Sequence, residues 1–141
     1  MLFRSQTSLL QYTSNPNFKF IYGDVRNQTL LEKLCNEADV IIPLAAIVGF
    51  PACAADPKLA KEINFDQIVN IVKFTNGKSK KILYPNTNSG YGLGKGQTEC
   101  TEESPLTPIS VYGQTKCEAE NFLRTSTNAI IFRLEIGRAH V

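Results

Sequence analysis

The sequence predicts an α/β chain built on a doubly wound parallel sheet. Short apolar runs alternate with stretches of helical spacing, the pattern of βαβ units. One run, VIIPL (40–44), is apolar throughout, as expected of a strand covered on both faces. The glycine- and hydroxyl-rich stretches follow the strands, where ligands of such sheets bind.

The elements follow in order. The first dozen residues fit either a frayed helix or a connector. FKFIY (18–22) reads as a strand, with Asn15-Pro16 before it and Gly23-Asp24 after it. From Gln28, the positions Leu30, Leu31, Leu34 and Ala38 repeat at helical spacing. Pro43 marks the end of the 40–44 strand rather than its middle. A long helix then carries Leu59, Ile63, Ile68, Ile71, Val72 and Phe74, and Asn76-Gly77 stops it. KILY (81–84) is the next strand. Residues 89–108 form a long loop with several glycines and prolines, a kind of loop that is usually functional. A helix over 111–124 and a last strand over 129–133 complete the order.

Composition narrows the function. A net charge of +2 with scattered lysines lacks the clustered basic face that nucleic acid requires. Four cysteines stand far apart beside a single histidine, so no metal site is expected and the thiols read as reduced. No stretch has the length of a membrane-spanning helix, and the first residues lack the apolar core of a signal peptide. A cytoplasmic, one-domain protein is the expectation.

The stretch SVYGQTKCEAE (110–120) places Tyr112 and Lys116 four residues apart, on one face of a helix. A tyrosine, with an ordinary pKa of about 10, is a poor base at neutral pH. A neighbouring ammonium favours the phenolate, so such a pair can take a proton from an alcohol while another group accepts a hydride. The same spacing also suits an exposed pair with no chemistry. NTNSGYG (86–92) sits at the same edge of the sheet, where Thr87 or Ser89 could meet a substrate oxygen or simply cap a turn.

Gly23-Asp24-Val25-Arg26, PLAAIVG, Asn64, YPNTNSGYG, ESPLTPISVYGQTK and FRL occur in that order between about Phe18 and Leu134. In this set the chain resembles the extended short-chain dehydrogenase/reductase superfamily, in its NAD-dependent epimerase/dehydratase branch acting on nucleotide sugars. The resemblance implies a partial Rossmann-like sheet lacking its first βα unit, NAD as cofactor (NADP remaining open), a nucleotide-sugar substrate and a homodimeric full-length parent. It implies cofactor contacts for Asp24 and Val25 at the adenine end, for Leu44, Ala45 and Ala46 along the backbone, and for Asn64, Tyr112 and Lys116. It implies a catalytic set of Thr87, Tyr112 and Lys116, with Thr87, Asn88 and Ser89 meeting the sugar. Dehydratases of the branch tend to carry an acid pair directly after the catalytic threonine. Asn88 and Ser89 do not titrate usefully, which favours an epimerase or reductase over a dehydratase. A non-catalytic dinucleotide-binding regulator is the alternative of another class; it has no need of Thr87, Tyr112 and Lys116 together.

Two departures bear on this. The glycine-rich G-x-x-G-x-x-G turn that cradles a pyrophosphate is not present, so the chain is expected to begin after the second strand of the family's sheet. The last seven residues, EIGRAHV, can be encoded by a string containing a common sequencing-adapter sequence. The expected organisation is therefore a partial dinucleotide-binding domain over 1–134 and a non-native tail over 135–141, the whole being an inactive fragment of a longer enzyme.

Overall fold

A computed structural model of the chain describes Leu9 and residues 11–92, 100–126 and 128–134. Most of the ambiguous first dozen residues, the middle of the long loop and the last seven residues lie outside these.

Helix α1 (Gln28–Glu37) starts where the Asn27 side chain accepts a hydrogen bond from the Leu30 N–H, a cap that satisfies one of the free amides of the first turn. A short strand β1 (Val40–Ile41) follows. Next come α2 (Phe50–Ala55) and α3 (Pro57–Lys61), each with proline in its first turn. Helix α3 runs through a π-helical turn (Glu62–Asp66) directly into α4 (Gln67–Thr75). Strand β2 (Lys81–Thr87) ends in a 3-10 turn (Asn88–Tyr91). Helix α5 (Val111–Leu123), capped by the Ser110 hydroxyl on the Gly113 N–H, leads to β3 (Ala129–Leu134).

The three strands lie parallel in the order β1-β2-β3. Ile41 pairs with Ile82, and Ile82, Tyr84 and Asn86 pair with Ala129, Ile131 and Arg133. Side chains alternate between faces, so these residues share one side of the sheet. On that side Ile82 and Tyr84 pack with Cys35 of α1, Ile68 and Ile71 of α4, and Ala119 and Leu123 of α5. Every helix that contributes to this core covers the same face. The opposite face shows Val40, Ile130, Phe132 and Leu134 about half exposed. The four cysteines form no disulfide; three are buried and Cys100 is exposed. No helix among the described residues is long and apolar enough to cross a membrane.

The parallel α/β architecture matches the expectation, with three local corrections. Residues 18–22 form no strand, because no neighbour pairs with them among the described residues; Phe20 and Tyr22 point into solvent. The 40–44 strand is only two residues long and is covered on one face, with Ile42 and Leu44 exposed. Strand β2 continues past Tyr84, through Pro85, to Thr87. A proline inside a central strand removes a ladder donor. Here that costs nothing visible. The Lys81 N–H bonds Asp39 on the β1 side and the Ile82 N–H bonds Asn128 on the β3 side, so Pro85, four residues after Lys81, turns its nitrogen toward the side where β1 has already ended. Helix α2 was not expected from its short, proline-containing sequence.

The turn after β2 is pinned by close packing. Gly92 has a φ of +70°, and a Cβ there would stand 2.2 Å from the Thr107 carbonyl oxygen. Gly77, with the same φ, meets nothing within 4 Å. Gly77→Ala should therefore cost about 1–2 kcal/mol from the backbone alone. Gly92→Ala should cost at least about 3 kcal/mol, since strain and collision add. Urea unfolding of the two variants measures the difference.

Candidate active site

The carboxyl ends of β1, β2 and β3 and the start of α5 surround a cleft of about 670 Å³. Thr87 ends β2 and reaches it with a hydroxyl that donates to Ser89 Oγ at 3.1 Å and accepts from the Ser89 N–H at 3.2 Å. Asn88 and Ser89, in the 3-10 turn, stand on the same wall. Tyr112 enters from the first turn of α5 and Lys116 from the next, both on the cleft. The opposite wall is apolar and includes Leu44, Ala46 and Val48. Thr87, Asn88, Ser89, Leu44, Ala46, Tyr112 and Lys116 are thus brought together on one cleft.

Lys116 is only 6% exposed. Its ammonium donates to the Pro85 carbonyl at 3.0 Å and lies 4.0 Å from the centre of the Tyr84 ring. A desolvated cation over an aromatic face gains about 2 kcal/mol, which offsets part of its burial. Burial still lowers its pKa from 10.5 to about 8. The Tyr112 phenol moves upward: burial raises its pKa, the Thr87 hydroxyl acts against this through a hydrogen bond, and nearby Cys53 adds to it. A depression of Tyr112 by Lys116 was expected from the spacing; in this geometry the ammonium is committed to Pro85 and Tyr84, and desolvation of the phenol dominates.

Other expected residues stand elsewhere. Asn64 is buried behind the apolar wall, on the π-helical turn. Its side-chain oxygen accepts from the Ile47 N–H at 2.8 Å, and its amide donates to the Ile47 carbonyl at 3.1 Å and to Thr115 Oγ1 at 3.2 Å. It holds the loop after β1 in place. Ala45 turns its carbonyl to Gln67, whose amide donates to it at 2.6 Å. Asp24 is exposed and taken by Arg26, whose guanidinium bonds both carboxylate oxygens and holds its pKa down to about 2. Val25 borders a separate cavity of about 210 Å³ with Arg26, Glu62 and Gln67. Neither Asp24 nor Val25 lines the Tyr112 cleft.

Tyr84 and Gln67 were not singled out from the sequence. Strand alternation places Tyr84 on the covered face, but its position under an ammonium depends on the docking of α5, which no local pattern encodes. Among the described residues no group of three or more metal-ligating side chains occurs.

A parallel α/β sheet with a hydroxyl, a phenol and an amine at its carboxyl edge defines a Rossmann-type, ligand-binding class. Residues 3–139 match the NAD dependent epimerase/dehydratase family, and the chain belongs to that family. It is 30% identical over 111 residues to UDP-glucose 4-epimerase 2 of Oryza sativa subsp. japonica, covering 77% of this chain and 27% of that protein. It is also similar to the UDP-glucuronic acid 4-epimerase of Bacillus cereus, solved with UDP-glucuronic acid and NAD (25% identity, TM-score 0.79, 90% of this chain and 42% of that one). A dTDP-glucose 4,6-dehydratase of Bacillus anthracis str. Ames, solved with NAD, is similar at 26% identity and TM-score 0.73, over 90% of this chain and 41% of that one. The chain therefore spans about a quarter of the length of the rice relative and less than half of these two structures.

Two variants probe the lysine site. Tyr84 Oη is buried with no hydrogen-bond partner among the described residues. Tyr84→Phe keeps the ring under Lys116 and should leave stability unchanged or raise it by about 1 kcal/mol. Lys116→Met should be more stable than the parent at pH 7. A group whose folded pKa is lowered, from 10.5 to about 8, penalises the folded state while it is charged. The advantage of Lys116→Met should then shrink as pH rises from about 8 toward 10.5, and chemical unfolding across that window measures it.

Proposed function

We propose that the chain forms part of an NAD-dependent enzyme that epimerises a nucleotide sugar, with Thr87, Tyr112 and Lys116 as its catalytic set. The observation that carries this reading is the convergence of those three side chains on one cleft at the carboxyl edge of the sheet. The donor set suits the cofactor. The ammonium of Lys116 spends one hydrogen bond on Pro85 and keeps donors for ribose hydroxyls, while Leu44, Ala46 and Val48 offer an apolar wall to a planar ring. NAD, when bound, supplies the hydride acceptor and donor.

The chain's own residues manage the proton. Tyr112 in its phenolate form takes the proton from a sugar hydroxyl as the carbon beneath it gives up hydride, so that the C–OH becomes C=O. Thr87, its hydroxyl proton turned from Ser89 Oγ to the substrate, donates a hydrogen bond to the same oxygen. Lys116 remains largely protonated at pH 7; in the ligand-free chain burial of the phenol, not this charge, governs Tyr112. Were the ketone reduced again on its other face, Tyr112 would return the proton to its oxygen and the epimer would result. Asn88 and Ser89 follow Thr87 where an elimination would want an acid and a base, which supports epimerisation over dehydration. The likeness to the rice epimerase points the same way.

In the protein expressed from its complete gene, Tyr112→Phe should lower turnover of UDP-sugars by about 10²–10⁴-fold while NAD binding persists. Near-parental turnover in that variant would remove Tyr112 from the mechanism.

A further inference from the structure

Beneath the cleft lies a second buried charge that the mechanism does not use. Glu120, on α5 one turn after Lys116, has no exposed surface. Its carboxylate accepts from Arg133 Nη2 at 2.5 Å, from Arg124 Nη2 at 2.8 Å and from the Asn86 amide at 2.5 Å. Burial works against its charge, yet hydrogen bonds from Arg133, Arg124 and Asn86 hold its pKa down to about 2, so it is ionised at any working pH. Arg133 in turn donates to Tyr91 Oη at 2.8 Å and to the Glu102 carbonyl at 3.0 Å. One carboxylate thereby joins α5, β2, β3, the 3-10 turn and the segment leading toward Tyr112.

The geometry is directional. Residues four apart face the same way on a helix, and Lys116 and Glu120 point down onto β2. Lys116 grips the Pro85 carbonyl and Glu120 grips the Asn86 side chain. Two successive turns of α5 thus hold two successive residues of β2, directly before Thr87. They do so on the stretch of β2 that β1 leaves unpaired, since β1 pairs only at Lys81 and Ile82 while β3 alone continues to Thr87. We propose that Glu120 is a positioning residue which, through Asn86 and Arg133, fixes the end of β2 and the turn after it, and so sets the Thr87 hydroxyl against Tyr112. This rests on the reading that Thr87 and Tyr112 act on one substrate oxygen.

The test uses the protein expressed from its complete gene. Glu120→Gln leaves two arginines without their carboxylate and could fail to fold, so Asn86→Val, which cuts the link to β2 and spares the ion pairs, is the main variant. Hydrogen exchange of the ligand-free protein should speed up about tenfold in segment 85–91 and stay at the parental rate in 81–84 and in α4. With a UDP-sugar, kcat should fall about 10–100-fold while KM stays near parental, since misplacement by about 1 Å costs that much at a reacting centre. Arg124→Met, which removes the outer arginine and touches neither β2 nor the turn, should change neither readout. Exchange in Asn86→Val that is unchanged, or raised equally across 81–91, overturns the proposal. So does a rise in KM with kcat unchanged. If the parent turns over no nucleotide sugar, the proposed function fails, and the exchange experiment alone decides whether the clamp exists.

Discussion

Helix α5 carries two ionisable side chains of opposite charge, Lys116 and Glu120, into the interior one turn apart, and the end of β2 lies under both. Charges buried this way rarely add stability over apolar residues of similar size, because desolvation cancels most of the attraction. Each is therefore held by several partners. Glu120 is compensated by two arginines and an amide. Among the described residues Lys116 has no carboxylate partner, only a carbonyl and an aromatic face, and its pKa falls to about 8. The asymmetry is informative. The carboxylate is saturated and inert, whereas the ammonium keeps hydrogen-bonding capacity on the side facing the cleft, where a ligand can use it.

The other wall of the cleft depends on a defect in a helix. A π-helical turn interrupts the rod formed by α3 and α4 at Glu62–Asp66, and such turns are frequent where function needs a side chain aimed off the regular track. Asn64, on that turn, pairs with both the N–H and the carbonyl of Ile47 as a neighbouring strand would. Gln67, just after it, holds Ala45. The loop that presents Leu44, Ala46 and Val48 to the cleft is thus fixed by side chains standing behind it, not by side chains within it.

Much of this was legible from local pattern. Helix α1 follows the spacing of Leu30, Leu31 and Leu34, and α5 follows from Ser110 as a cap and the residues after it. That the candidate residues on β2 and α5 share one edge was legible because a parallel sheet sends the ends of its strands to one side. Residues 18–22 had a strand's composition and no strand, since pairing depends on a neighbour and not on the segment itself. Asn64 could be picked out, but its direction depends on the π-helical turn, which no periodicity marks. Glu120 reads as an ordinary exposed helix glutamate until Arg133, thirteen residues later, is folded against it. The direction of the Tyr112 shift is hidden from the sequence for a related reason: spacing places an ammonium nearby, but only packing shows that it is engaged elsewhere and that the phenol is partly buried.

The most direct measurement is a crystal structure of the protein expressed from its complete gene with NAD and a UDP-sugar. One sugar hydroxyl is expected within about 2.6–3.2 Å of both Thr87 Oγ1 and Tyr112 Oη, in the cleft between the end of β2 and the start of α5. A sugar bound in that cleft with its reacting hydroxyl against neither residue would contradict it.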